Sequence, residues 1–315
     1  MSSSTATRPR TDQVGDAGPS RALKRSGDWA RRAPLLPALI FVILMTQLPF
    51  VATLVISFMN WNAYYPDERG FAGFDNFARV FTDTNTRQAV VVTIVLTLSV
   101  VIVSLLLGLG IALLLDRKFR GRGVVRTMMI TPFLIVPVAA ALLWKHALYN
   151  PEYGLFNGLL KGVFGDNAPQ PDWITNTPLA AIVAALVWQW TPFMMLILLA
   201  GLQSRPLDVV EAARIDGASG WQIFTNMTLP HLRQYIELSA LLGAIYVVQN
   251  FDHVFTITSG GLGTANLPYF IYQTFYTAQD YGRASAAGVV VVIGTILIAT
   301  AALRTAFSLF KEESR

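Results

Sequence analysis

Glu211-Ala212-Ala213-Arg214-Ile215-Asp216-Gly217, followed after nine intervening residues by Met227-Thr228-Leu229-Pro230, is a polar island between two long apolar runs, roughly 178–201 and 234–254. Similar apolar runs lie farther out, at roughly 34–59, 88–115, 125–144 and 284–303. A helix crossing a bilayer needs about 20 mostly apolar residues, so the six runs predict an all-α polytopic membrane protein with six transmembrane helices. The fifth span has the shortest apolar core, Leu238 to Phe251, because Glu237 lies near its start and Asp252 and His253 near its end.

Composition agrees with this reading. The chain is 53% hydrophobic and only 14% charged, whereas soluble domains carry about 25% charged residues. Residues 1–32, rich in Ser, Thr, Arg, Gly and Pro, have too few apolar groups to bury a core and are expected to be a disordered basic cytoplasmic N-terminus. The run that follows is too long for the apolar core of a cleavable signal. Residues 33–310 then form the permeation domain and 311–315 a short cytoplasmic end. With no cysteine, disulfides and thiolate metal sites are excluded.

Basic residues set the orientation, because short loops rich in Lys and Arg stay cytoplasmic. Eighteen of them fall on the side that includes the N-terminal segment, Arg117 to Arg126, the polar island and the C-terminal end, against six on the other. Both termini and the island are thus expected inside, in the cytoplasmic (inner) membrane. The net charge of +5 follows from topology, so no nucleic-acid partner is expected. Trp61, Tyr64, Tyr65, Trp144, Tyr149, Trp173 and Tyr281, where the chain should leave the hydrocarbon, read as interfacial belt aromatics. One short surface helix is expected within Pro151 to Phe164.

The island itself reads as helix, sharp turn, helix. Pro206 suits a first helical turn, Asp208 and Glu211 are favoured early in a helix by its dipole, and Gly217 suits the left-handed residue that ends one. Ser219 with Gln222 forms a capping box opening a second helix, which Pro230 is expected to close. Leu207, Val210, Ala213 and Arg214 fall near one face of the first helix. The small side chains of Ala212 and Ala213 let another surface approach closely.

The spacing from Glu211 through Pro230 resembles the cytoplasmic loop of the membrane subunits of ATP-binding-cassette importers. The resemblance extends in order over residues 34–310. It includes Trp61 with Phe71-Ala72-Gly73-Phe74-Asp75-Asn76-Phe77, Arg120-Gly121-Arg122-Gly123, Asn150-Pro151-Glu152-Tyr153-Gly154-Leu155-Phe156-Asn157, Ser259-Gly260-Gly261-Leu262-Gly263-Thr264, and Tyr281-Gly282-Arg283-Ala284-Ser285-Ala286-Ala287. Met227 replaces the isoleucine usual in the family, a soft apolar exchange.

The subfamily most resembled is the carbohydrate-uptake branch. The resemblance implies a coupling loop, 204–231, seated in a groove of an ATPase subunit through Glu211, Ala212, Ala213, Asp216, Gly217, Ala218, Leu229 and Pro230. It also implies a homologous second permease, two ATP-binding-cassette ATPases and an extracytoplasmic solute-binding protein. ATP is then bound by the partner subunits; this chain has no phosphate-binding Gly-x-x-x-x-Gly-Lys-Ser/Thr sequence, is not an enzyme, and needs no cofactor or metal of its own.

Polar residues within spans usually face the bundle interior or a cavity. Gln189 in the fourth span and Tyr246 and Asn250 in the fifth offer amides and a ring without charge, which suits a neutral polyhydroxylated solute such as a sugar or polyol. In some members of the resembling family the solute is held between these two spans. His146 and His253 are expected at interfaces, and Glu237 is expected to pair with Arg233 four residues earlier. The alternative, an ion-gradient-driven secondary transporter, calls for buried acids or histidines near midplane and inverted repeats. An intramembrane enzyme calls for facing catalytic pairs.

Overall fold

The structure, a computed structural model, describes residues 33–312, with side chains described for most of them; the expected N-terminal segment 1–32 lies outside that range. The chain divides into two units, one ending at Ala52 and the other beginning at Thr53, and each is described by itself.

Helix α1, Leu36–Ser57, is apolar on every face, as a span surrounded by hydrocarbon must be. The hydroxyl of Thr46 donates to Val42 O (2.8 Å), so the span's own backbone absorbs it.

In the second unit a two-residue hairpin, β1 Met59–Asn60 against β2 Gly70–Phe71, leads into α2, Asp75–Thr82. Asn76, 3% exposed, fastens that junction by donating to Ser57 O and Met59 O at 3.0 and 2.8 Å. Asp83 then caps α3, Thr84–Asp116, accepting from the Thr86 amide and hydroxyl. It also pairs with Arg283 at 2.9 Å. At about 1.5 Å per residue, the 33 residues of α3 run well beyond an apolar core of ~30 Å.

Helix α3 packs most extensively on α8, Pro178–Gln203. Gly108 permits the approach, since a Cβ there would lie 3.0 Å from the Met195 amide nitrogen. Two apolar clusters fill this contact: Leu96, Val100, Ile182 and Leu186 at one end, and Ala112, Leu115, Leu198 and Leu202 at the other.

The third apolar run departs from the straight span expected. Helices α4, Arg122–Leu134, and α5, Pro137–Leu142, meet at 97° when α5 is taken with its π-turn Leu143–Leu148. Ile135 between them is extended, as Pro137 at the first turn of α5 and Pro132 within α4 favour. The carbonyl that this break frees is met by Gln189 Nε2 at 2.9 Å.

The outer segments include α6, Leu155–Phe164, which is the expected surface helix, and α7, Trp173–Asn176. Here the belt assignment fails for two aromatics. Trp144 and Tyr149 are 8% and 3% exposed and belong to a ring cluster: Trp144 lies 5.3 Å from Tyr149 and 5.9 Å from Trp188, and Phe156 lies 5.8 Å from Trp173. Asn157 ties the cluster to its loop, accepting from the Trp173 indole (2.8 Å) and donating to Pro151 O and Pro171 O. Replacing Asn157 by Ala strands a part-buried indole donor and two carbonyls; thermal unfolding should show a loss of about 2 kcal/mol.

Within the island, α10, Gly220–Ile223, continues through a π-turn, Phe224–Thr228, into α11, Leu229–Val248. Pro230 therefore does not close a helix. It stands in the first turn of α11 beside the widened turn, where a missing amide hydrogen is tolerated. The fifth span is also broken: α11, taken with α10 and the π-turn before it, meets α12, Asp252–Thr258, at 51°. Finally α13, Leu267–Tyr272, precedes α14, Tyr281–Glu312.

Among the described residues three helices, α1, α3 and α8, are long and apolar enough to span, and the two bent pairs pass the same requirement together. The sixth apolar run lies in α14, whose described apolar part is Tyr281–Leu297.

Candidate functional site

The island forms the compact helix-turn-helix that its residues dictate. Helix α9, Leu207–Ile215, begins after Pro206, which is its cap rather than its first residue. Beyond its cap Asp216 the chain turns at Gly217, with φ +88°. The Ala218 amide donates to Ala213 O (2.9 Å) and the Gly217 amide to Arg214 O (3.1 Å), the paired closure made by a left-handed terminal glycine. Ser219 and Gln222 then form the expected reciprocal capping box.

The face that carries Leu207, Val210, Ala213 and Arg214 is only partly covered. Val210 is buried, but Leu207 and Arg214 are exposed. Ile215 is 86% exposed and Trp221 72%. Glu211, Asp216 and Gly217 also face outward, and Glu211 makes no ion pair among the described residues. A short, rigid element thus presents a carboxylate amid uncovered apolar side chains, a surface suited to docking rather than to covalent chemistry.

What fixes this element is a clasp that the sequence did not reveal. Arg205, before α9, donates to Asp116 Oδ2 at the end of α3 (2.6 Å), to Thr228 Oγ1 after the loop (2.8 Å) and to Leu202 O (2.9 Å). Beside it the Ser204 hydroxyl lies 3.1 Å from His231 Nε2 and 2.9 Å from the Tyr235 hydroxyl. The entrance and exit of the loop are therefore tied to each other and to α3. Asp116 and Arg205 are 89 residues apart, with no local signal to link them.

The three proposed pathway residues are not gathered into one polar pocket. Gln189, 4% exposed, spends its amide nitrogen on Ile135. Tyr246 is 55% exposed and stacks on Trp190, with centroids 5.4 Å apart at 25°. Phe193 and Phe133 extend this surface, stacking on each other at 5.4 Å. Asn250 lies at the helix break, its side-chain nitrogen 3.2 Å from His253 Nδ1 and its carbonyl accepting from Asn266. The Asn250 Oδ1 is buried and has no hydrogen-bond partner among the described residues. His253, expected at an interface, is fully buried instead, because the bend at residues 249–251 turns α12 inward against α5 and α8. The Arg233–Glu237 pair forms as expected, at 3.0 Å.

Residues 104–308 match the family described as binding-protein-dependent transport system inner membrane component. A probable ABC transporter permease protein of Sinorhizobium fredii is 36% identical, over 84% of this chain and 85% of the relative. The trehalose/maltose transport system permease protein MalF of Thermococcus litoralis is 35% identical, over 82% and 87%. A chain of a bacterial ABC transporter involved in the import of the acidic polysaccharide alginate shares the fold, with TM-score 0.78 over 92% of this chain and 99% of that one at 21% identity.

Proposed function

The chain belongs to the family of binding-protein-dependent transport system inner membrane components, and on that premise we propose that it is the permease subunit of an ATP-driven importer of a neutral sugar or polyol. The observation that carries the coupling half of this reading is the clasped loop: a stiff, outward-facing helix pair fastened by Arg205 to the end of α3. Force applied to Glu211, Ala212, Ala213, Asp216, Gly217 and Ala218 is passed to the spans rather than lost in a flexible connector. Leu229 and Pro230 carry it into α11. In this reading the loop and both termini face the cytoplasm. The partners are a homologous permease, two ATP-binding-cassette ATPases and an extracytoplasmic binding protein.

For the solute, the ring ledge of Trp190, Phe193 and Tyr246 offers apolar faces on which sugar C–H groups stack, with no charge to neutralise. Asn250, with an unspent oxygen at a helix break, supplies a hydrogen bond, as broken spans do in transport sites. Gln189 acts one step removed, holding the kink that follows Phe133. The names of the Thermococcus litoralis relative and of the trehalose permease of Mycobacterium tuberculosis favour a disaccharide over a polyol.

The test is reconstitution with the partners that co-purify with the tagged chain, followed by uptake of labelled trehalose, maltose and mannitol. Tyr246→Ala is expected to cut uptake roughly tenfold through loss of stacking, and Asn250→Ala similarly, with ATPase assembly retained. Uptake without ATP, or full uptake by both variants, would overturn the assignment.

A further inference from the structure

A second surface remains unused by this reading. Between α3, α4 and α8 lies a groove of about 550 Å³. It is lined by apolar groups, among them Leu107, Ile111, Met128, Met129, Ala184 and Met195. The one lining hydroxyl, Thr191, is already spent on Val187 O at 2.6 Å. Apart from Thr191 and the Trp188 indole the lining is apolar, so a sugar would lose most of its water there without compensation. Its volume is that of an ordinary ligand site.

The chemistry at one end is different. Helix α3 ends at Asp116 and α4 begins at Arg122, and the connection brings Arg117, Lys118, Arg120, Arg122 and Arg126 together in sequence. None of these five cations makes an ion pair among the described residues, and the nearest carboxylate in sequence, Asp116, is committed to Arg205. Arg122, Arg126 and Met129 follow one another at spacings of four and three, on a single stripe of α4. Arg117 and Arg122 are each six residues from the groove residues Ile111 and Met128, about 9 Å along a helix. Charge and apolar groove are therefore contiguous at the distance that separates a phosphate from the first methylenes of its chains.

We propose that this groove and its basic rim bind one anionic phospholipid, with an acyl chain along α3, α4 and α8 and the phosphate at residues 117–126. An apolar chain satisfies the lining and the phosphate satisfies cations that have no ion-pair partner among the described residues. A second protein span laid in the same groove would cover the apolar lining and leave those charges unanswered.

The experiment uses the full transporter, purified in mild detergent and offered phosphatidylglycerol or phosphatidylcholine, with retained lipid read by native mass spectrometry. Phosphatidylglycerol should be retained preferentially. Lys118→Gln, Arg120→Gln and Arg126→Gln together should remove that preference, at about fivefold per cation. Ala184→Phe, which fills the groove while leaving the rim intact, should reduce retention of both lipids. Equal retention of the two lipids by the unaltered chain overturns the proposal, as does a preference that survives the triple variant. Cross-linking of residue 184 to the second permease, with no lipid retained, would assign the groove to that subunit instead. Lipid retention is read without transport, so its failure leaves the importer assignment standing, and the reverse.

Discussion

Replacing Gly217 by Val together with Glu211 by Lys is expected to reduce ATP-driven uptake about a hundredfold while leaving the chain inserted and folded. Gly217 sits at φ +88°, a region where a β-branched side chain is strained by about 1–2 kcal/mol. The cheapest escape is to unwind the bonds from Gly217 and Ala218 to Arg214 and Ala213, which swings α10 away from α9. Lysine at 211 also reverses an exposed carboxylate of α9 that makes no ion pair among the described residues. A loss of ~3 kcal/mol at such a docking surface corresponds to about a hundredfold in affinity. Co-purification of the ATPase with the tagged variant is the direct measurement. An ATPase retained at the unaltered level would show that α9 and α10 do not form the docking surface.

The second large effect is expected at Arg205. Its side chain is 15% exposed and that of Asp116 25%, so truncating the arginine leaves a poorly hydrated carboxylate and an unpartnered Thr228. Arg205→Ala should cost about 2–3 kcal/mol in unfolding, and Asp116→Ala somewhat less. The double variant should cost less than the sum, with a coupling of at least about 1 kcal/mol. Because the clasp joins the loop to α3, both variants should also hydrolyse ATP without proportionate uptake. Additive effects, or normally coupled transport in Arg205→Ala, would reduce the clasp to an incidental surface pair.

The parts of this fold legible in the sequence are those governed by local rules. Apolar runs gave the helices, and Gly217, Ser219 and Gln222 gave the turn and its caps, because each acts on neighbours within six residues. The errors have a common cause in tertiary context. Pro230 was expected to stop a helix, but the π-turn at Phe224–Thr228 absorbs its missing amide. Trp144 and Tyr149 looked interfacial until Phe156 and Trp173 returned from the following loop to cover them. His253 was expected at an interface because the break that turns it inward depends on helices far from it in the chain. The sequence also offered Gln189 as an isolated amide; its partner is a backbone carbonyl freed by a kink 54 residues away, which no periodicity records.

The fastening groups of the loop lie outside the segment they fasten. Ser204, Arg205, Thr228, His231 and Asp116 all fall beyond Leu207–Met227, and the segment itself contributes only Val210 and Ile223 to the buried interior. This makes the loop a replaceable cassette. Residues 207–227 of another permease, grafted with apolar groups kept at 210 and 223, should seat on the same frame and bring that permease's choice of motor, while the spans keep their own cargo.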